Sequence, residues 1–235
     1  MDNLPEKPTE FDYYADKYAE LLYDPLRERF AGSDRFFYER KFQVIQAFFK
    51  KRGTDTRMLT WLDVGCGQGQ LLRLGRSHFA AATGTDQSLK MLESCSDLEV
   101  RHQDLPERLP FESKSFNFIT TVCVYHHVPE PQRLPFTQEV VRLLKPGGIF
   151  CLMEHNPLNP VTRLIVSRSP VDADAHLMSA RRAKNLVASA ACTVLDTRYF
   201  LLFPRRIHRY LAPLEHRLGR VPAGGQYCMM STRPS

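Results

Sequence analysis

The chain has 235 residues and a formal net charge of +6, with 43% hydrophobic and 25% charged side chains. That length and balance fit one globular domain with ample apolar material for a core, and exclude a disordered or fibrous chain. The charge is uneven: residues 1–60 are neutral, residues 61–155 carry net −2, and residues 156–235 carry net +8, with 11 of 12 cations there arginine, so a histone-like or ribosomal chain is excluded too.

The stretch Met1 to Glu10 is polar and mixed in charge, which predicts no secretory signal. No apolar run approaches the ~20 residues that span a bilayer. Cys66, Cys95, Cys123, Cys151, Cys192 and Cys228 lie 28 to 41 residues apart with no CxxC pair, and several fall in strand-like runs. Buried reduced thiols suit that spacing better than disulfides or zinc, so a cytoplasmic protein is expected.

In chain order, Phe11 to Leu22 and Arg35 to Lys51 have helical spacing and many aromatics. Arg57 to Val64 reads as a strand ending in a glycine-rich turn, followed by a helix from Gln70 and a strand over Ala80 to Thr85. A helix over Ser88 to Cys95, a short strand near Val100 and a β-prone run over Phe116 to Val124 come next. Gln132 to Leu144 is an amphipathic helix stopped by Lys145-Pro146-Gly147-Gly148, and Ile149 to Glu154 is the following strand. Such alternation predicts βαβ units and a mostly parallel sheet. Beyond a Pro- and Asp-containing stretch, Asn156 to Asp174, the spacing predicts a helix over Ser179 to Ala190 and a strand over Thr193 to Phe203. A basic amphipathic helix over Arg205 to Arg220, kinked at Pro213, and a last strand near Tyr227 to Met230 complete the chain.

The strongest local signal is Asp63-Val64-Gly65-Cys66-Gly67-Gln68-Gly69, where strand meets helix. A dinucleotide turn would place its third glycine at position 70, which is Gln70. Glycines without Cβ let a ligand lie on the backbone, and Asp63 opposes pyrophosphate but suits an ammonium. Asp86, 21 residues past Gly65, ends the second strand, where a carboxylate accepts from ribose hydroxyls; Asp104 ends the third and suits an exocyclic amine. A ribonucleoside joined to an amino acid satisfies all three acids.

Together with the run ending in His126-His127-Val128 and with Leu143-Leu144-Lys145-Pro146-Gly147-Gly148, these motifs resemble, over residues 55–155, the class I S-adenosylmethionine-dependent methyltransferases. The resemblance implies an α/β, Rossmann-like seven-stranded sheet of order 3-2-1-4-5-7-6, last strand antiparallel, flanked by helices. It implies S-adenosyl-L-methionine as cofactor, S-adenosyl-L-homocysteine as product, and cofactor contacts at Asp63, Gly65, Cys66, Gly67, Gly69, Asp86, Gln87, Asp104, Leu105 and Tyr18. Asn117 departs from the family's usual Phe-Asp pair, at a strand start away from the ligand. A single domain over 1–235 is expected: a helical lid over 1–55 with Tyr13, Tyr14 and Tyr18 toward the cofactor, a cofactor core over 56–155, and an acceptor-side region over 156–235.

His126, His127 and His155 are the candidate bases, because each ends a strand at the crevice; for the first two, packing and hydrogen bonding below the cofactor is the favoured alternative. Glu154-His155-Asn156-Pro157-Leu158-Asn159-Pro160 reads as an acceptor-side loop. Asp172, Asp174 and His176 alternate in a way that invites a metal, but nothing in the sequence completes a site, so none is expected. The basic helix suits a membrane surface or phosphate, or only solvent; the neutral first half offers no second basic wall for nucleic acid. Short matches in 154–160, 171–175 and 224–227 resemble bacterial enzymes of surface-glycan or polyprenyl-phosphate chemistry. The expected function is therefore methyl transfer to oxygen of a small, lipid-linked or glycan-linked acceptor, which the basic last third suggests is anionic. An RNA (tRNA) methyltransferase and a non-catalytic cofactor-binding domain are the alternatives.

Overall fold

A computed structural model describes residues 8–105 and 108–234; most of the polar amino-terminal stretch, residues 1–7, lies outside the described residues. Helices α1 (Glu10–Tyr14), α2 (Tyr18–Leu21), α3 (Pro25–Ala31) and α4 (Asp34–Lys51) precede β1 (Thr60–Val64). Then α5 (Gln70–Gly75), β2 (Ala81–Asp86), α6 (Leu89–Glu93), β3 (Glu99–His102) and β4 (Phe116–Val122) alternate. The chain continues through α7 (Glu130–Leu143), β5 (Leu144–His155), α8 (Pro160–Val166), α9 (Ala180–Ser189), β6 (Thr193–Phe200), α10 (Arg205–Leu218) and β7 (Gln226–Thr232). The seven strands form one sheet of order β3-β2-β1-β4-β5-β7-β6; β7 is antiparallel to both neighbours and the other pairs are parallel, as the sequence predicts.

Alternation along the strands builds two cores. Leu62, Ile119 and Leu152 face α7 and α9, where Phe136, Val140, Ala183 and Val187 are buried. Their neighbours Trp61, Phe118, Cys151 and Met153 face α4 and α5, against Phe42, Ile45, Phe49 and Leu72. A sheet covered on both faces needs strands that are apolar throughout, which is why these read as continuous runs. Asn117 lies at the far end of β4 from the strand carboxyl ends; its Oδ1 accepts from Thr60 N at 3.1 Å and from Lys145 Nζ at 3.2 Å, tying β1 to β5.

Several elements differ from expectation. The first helix is split, because a tight turn at Ala15–Lys17 separates α1 from α2. Neither α3 nor α8 was foreseen, although each opens with a cap residue followed by proline. Asp24 accepts from Leu26 N at 2.8 Å, and Asn159 from Thr162 N at 2.9 Å. The 145–148 turn stops α7 but already belongs to β5, and α10 continues through Pro213 to Leu218. The 154–160 stretch is a brace rather than an open loop: Asn156 Nδ2 donates to Pro222 O and Gly224 O at 3.0 and 2.8 Å, and Asn159 Nδ2 to Ala223 O at 2.7 Å.

Candidate functional site

The carboxyl ends of β1, β2 and β4 open onto a cavity of about 980 Å³, roofed by α1 and α2. Parallel sheets place their ligands at this end, where helix amino termini and strand-end turns converge. The glycine turn forms its floor, with Gly65, Gly67 and Gly69 all in the left-handed region. A Cβ at Gly67 would meet nothing within 4 Å, so its face is bare backbone. Gly65 is crowded instead; a Cβ there would lie 2.5 Å from Val124. Asp86 Oδ2 accepts from Gly67 N at 2.8 Å and Oδ1 from Ser88 N at 2.9 Å, locking its carboxylate beside that bare backbone. Burial raises the Asp86 carboxyl, opposed by these amide hydrogen bonds. Bare backbone next to a held carboxylate fits an adenosyl cofactor bearing vicinal hydroxyls.

Asp63 is buried at the end of β1, 2.5 Å from the Thr120 hydroxyl that donates to it. Burial pushes it up to about 7 against that bond and the Lys41 charge. A folded value above the usual ~3.9 means ionisation opposes folding, so stability is greatest at acid pH and falls as pH rises from there through about 7. Asp63→Asn removes this loss. The ligand-free variant is expected to melt with wild type at pH 4 and a few degrees above it at pH 8, read by paired thermal melts. Equal melting at both pH values refutes the reading.

The cofactor candidates divide. Asp63, Gly65, Cys66, Gly67, Asp86, Gln87 and Tyr18 line the cavity. Gly69 does not, but its left-handed turn carries the chain into α5. Asp104 is exposed, 2.6 Å from His102 Nδ1, and Leu105 is 54% exposed; neither lines the cavity as it stands. Gln103 does so, because neighbouring residues of an extended segment point to opposite sides. Of the lid tyrosines, Tyr18 lines the cavity, Tyr13 is 72% exposed, and Tyr14 bonds to Glu10. Phe11 and Lys41 also line it and were not foreseen. Lys41 is a buried cation on an aromatic helix face, over the Tyr38 ring and 3.7 Å from Cys123 Sγ.

Behind this cavity lies a second one of about 570 Å³, beneath α2, α3 and α8. Tyr18, Leu22, Tyr38, Lys41, Cys123 and His127 line both and form the wall between them. Cys123 has a left-handed backbone, φ 59°, immediately after β4. Burial alone would raise its thiol, but the Lys41 charge and the neighbouring His155 ring outweigh that and bring it to about 7. Gln226 Nε2 donates to the same sulfur at 3.5 Å, while its buried Oε1 has no partner among the described residues. Arg27, Arg29 and Arg206 edge this cavity; Arg205, Arg209, Arg217 and Arg220 stay outside it. Glu215, pairing with Arg40 and accepting from Leu202 N at 2.9 Å, pins α10 to α4, with Tyr210 and Leu214 of α10 left exposed.

The three histidines have unlike surroundings. His126 is buried, with Nδ1 2.6 Å from Glu154 Oε2 and Nε2 3.2 Å from Asp172 Oδ1. Burial would lower it, but the Glu154 charge and its two hydrogen bonds prevail and push it up to about 10. With both nitrogens engaged, His126 has no lone pair for a substrate proton, which corrects its expected role as a base. His127 lines both cavities edge-on to Phe11, and burial together with the His126 charge lowers it to about 4. His155 lines only the second cavity, with Nδ1 3.5 Å from Gln226 Nε2. Asp172 joins His126 and His127, whereas Asp174 lines the first cavity and His176 is exposed; the alternating acids therefore do not form one ligand set among the described residues.

Residues 62–152 match the model of a family described as a methyltransferase domain. A tRNA (carboxymethyluridine(34)-5-O)-methyltransferase of Arabidopsis thaliana is 30% identical over 160 residues, 67% of this chain and 37% of that protein. A ubiquinone biosynthesis O-methyltransferase of Coxiella burnetii is 34% identical over 95 residues, 37% of this chain and 39% of that one. The chain thus spans well under half the length of either relative. In fold it is similar to an S-adenosylmethionine-dependent methyltransferase of Thermotoga maritima, with a TM-score of 0.66 at 16% identity, covering 95% of this chain and 98% of that one.

Proposed function

We propose that this chain, whose residues 62–152 match a methyltransferase domain on a fold similar to solved S-adenosylmethionine-dependent methyltransferases, uses that cofactor to methylate an oxygen of a small acceptor bearing an anionic group. The observation that carries this reading is the second cavity, which shares a wall with the cofactor cavity and is edged by Arg27, Arg29 and Arg206. When bound, the cofactor supplies a methyl group already activated by its sulfonium. The work left to the chain is to hold the acceptor and keep water out. Asp86 and the bare backbone at Gly67 hold the nucleoside end, and Asp63 receives the ammonium. Tyr18 and Phe11 cover the first cavity. His155, free of the ion pairs that immobilise His126, takes the proton that the acceptor oxygen gives up. The orphaned Gln226 Oε1 accepts from a second acceptor hydroxyl. The region divides as lid, cofactor core and acceptor side at about residues 55 and 155. The exposed apolar residues of α10 among its arginines suit a membrane surface that presents a lipid-linked acceptor. No helix among the described residues is long and apolar enough to cross a membrane.

Competing acceptors, phenolic or hydroxy acids against bulk tRNA, test the reading by cofactor turnover. His155→Ala is expected to lower kcat roughly 10²–10⁴-fold, the usual worth of a general base. Arg206→Ala should raise KM with kcat kept. Turnover confined to tRNA, with salt-sensitive binding, would replace this reading by RNA methylation, which the breadth of the match to the plant tRNA enzyme favours.

A further inference from the structure

We propose that His126, His127 and Asp172 form a divalent transition-metal site in the wall of the second cavity. One donor atom from each lies within 4.8 Å of the others, a cluster that no sequence spacing announces. Asp172 Oδ1 is the hub, 3.2 Å from His126 Nε2 and 3.6 Å from His127 Nε2. Two ligands each about 2.1 Å from one ion stand roughly 3.0–3.5 Å apart, so these separations need only small adjustments.

The surroundings are those of a ligand set held in advance. Glu154, fully buried, grips His126 through Nδ1 at 2.6 Å, leaving Nε2 as the ligating nitrogen. A carboxylate behind a ligating imidazole fixes its tautomer and raises its basicity. The loop that brings Asp172 is tied down as well: His176 N donates to His126 O at 2.8 Å, and Arg133 Nη2 to His176 O at 2.7 Å. An ion would take the place of the Nε2 proton that His126 now directs at Asp172. Two imidazoles and one carboxylate select cobalt, zinc, manganese or iron(II) over magnesium or calcium, which prefer all-oxygen sets. Three protein ligands leave positions open toward the cavity that all three residues line.

The role of the ion rests on the reading of the second cavity as the acceptor site. Its open positions suit an acceptor with two adjacent oxygens, a vicinal diol, catechol or 2-hydroxy acid. The ion would lower the pKa of the hydroxyl to be methylated, and that proton would pass to His155.

Cobalt(II) is the probe. Tag-free protein, stripped with chelator and saturated with S-adenosylhomocysteine, should bind one equivalent with visible d–d bands. His127→Gln and Asp172→Asn should weaken that binding at least ten-fold while remaining folded in thermal melts, and Asp172→Asn, which lies outside the first cavity, should keep its S-adenosylhomocysteine affinity. Anomalous scattering at the cobalt edge from wild-type crystals should place the ion between the three side chains, whatever the variants do. No saturable binding below millimolar cobalt, unchanged affinity in both folded variants, or an anomalous peak elsewhere overturns the site. Cofactor affinity and turnover are separate measurements, so loss of this proposal leaves the methyl-transfer reading standing.

Discussion

Asp86→Ala is expected to weaken S-adenosylhomocysteine binding roughly a hundred-fold or more in calorimetry, with a fall of a few degrees in melting temperature. The carboxylate accepts from Gly67 N and Ser88 N at the cavity floor. It is the wall group suited to accept from ligand hydroxyls. Hydrogen bonds to a charged group contribute about 1.5–3 kcal/mol each, so losing two to the ligand gives the stated factor. The freed Gly67 amide faces the cavity, where water replaces the carboxylate, but the buried Ser88 amide loses its acceptor, which costs about 1–3 kcal/mol. Asp86→Asn, which keeps the shape and loses the charge, should fall between. Wild-type affinity in Asp86→Ala would remove the first cavity as the cofactor site.

Glu154→Ala should be the most destabilising single change at this end of the sheet, costing about 3–5 kcal/mol in urea denaturation, the usual cost of stranding a buried charge. It removes the partner of His126 and also the acceptor for Tyr125 N at 2.7 Å. The cost depends on pH in a definite direction. Burial would raise Glu154, but the His126 charge and hydrogen bond bring it down to about 2. Its contribution is present above the ordinary carboxylate value of ~4.3 and fades as pH falls through about 2. His126 is shifted the other way, so its contribution is complete below ~6.5 and fades as pH rises through about 10. The difference between variant and wild type should therefore peak between about pH 4.5 and 6.5 and shrink toward pH 10. A difference independent of pH would show that cavity formation, not the ion pair, sets the cost.

The sheet was legible in the sequence because its determinants are local. Glycines, prolines and acids punctuate each strand end, and apolar runs such as 116–122 mark strands covered on both faces. The glycine turn and Asp86 were legible for the same reason. Asp104 does not line the cavity while Gln103 does, since one residue of register in an extended segment decides between cavity and solvent. Lys41 was hidden because nothing local separates a buried lysine from a surface one on an aromatic helix. The link between His126, Glu154 and Asp172 joins the turn after β4, β5 and the loop after α8, which only the completed sheet brings together. Asn156 and Asn159, in the stretch expected to be an acceptor-side loop, hold the 222–224 loop, a long-range use of side chains that composition does not reveal.

Six residues, from Tyr18 to His127, serve two cavities at once. On the proposed reading one set of rotamers would have to satisfy both occupants, and a side chain drawn toward one would be withdrawn from the other. The two ligands would then be linked in affinity, with a reciprocity that thermodynamics enforces: whatever factor the first imposed on the dissociation constant of the second, the second would impose on the first. A good acceptor would report on itself before any methyl group moved, by shifting the titration curve of the nucleoside on the far side of the wall.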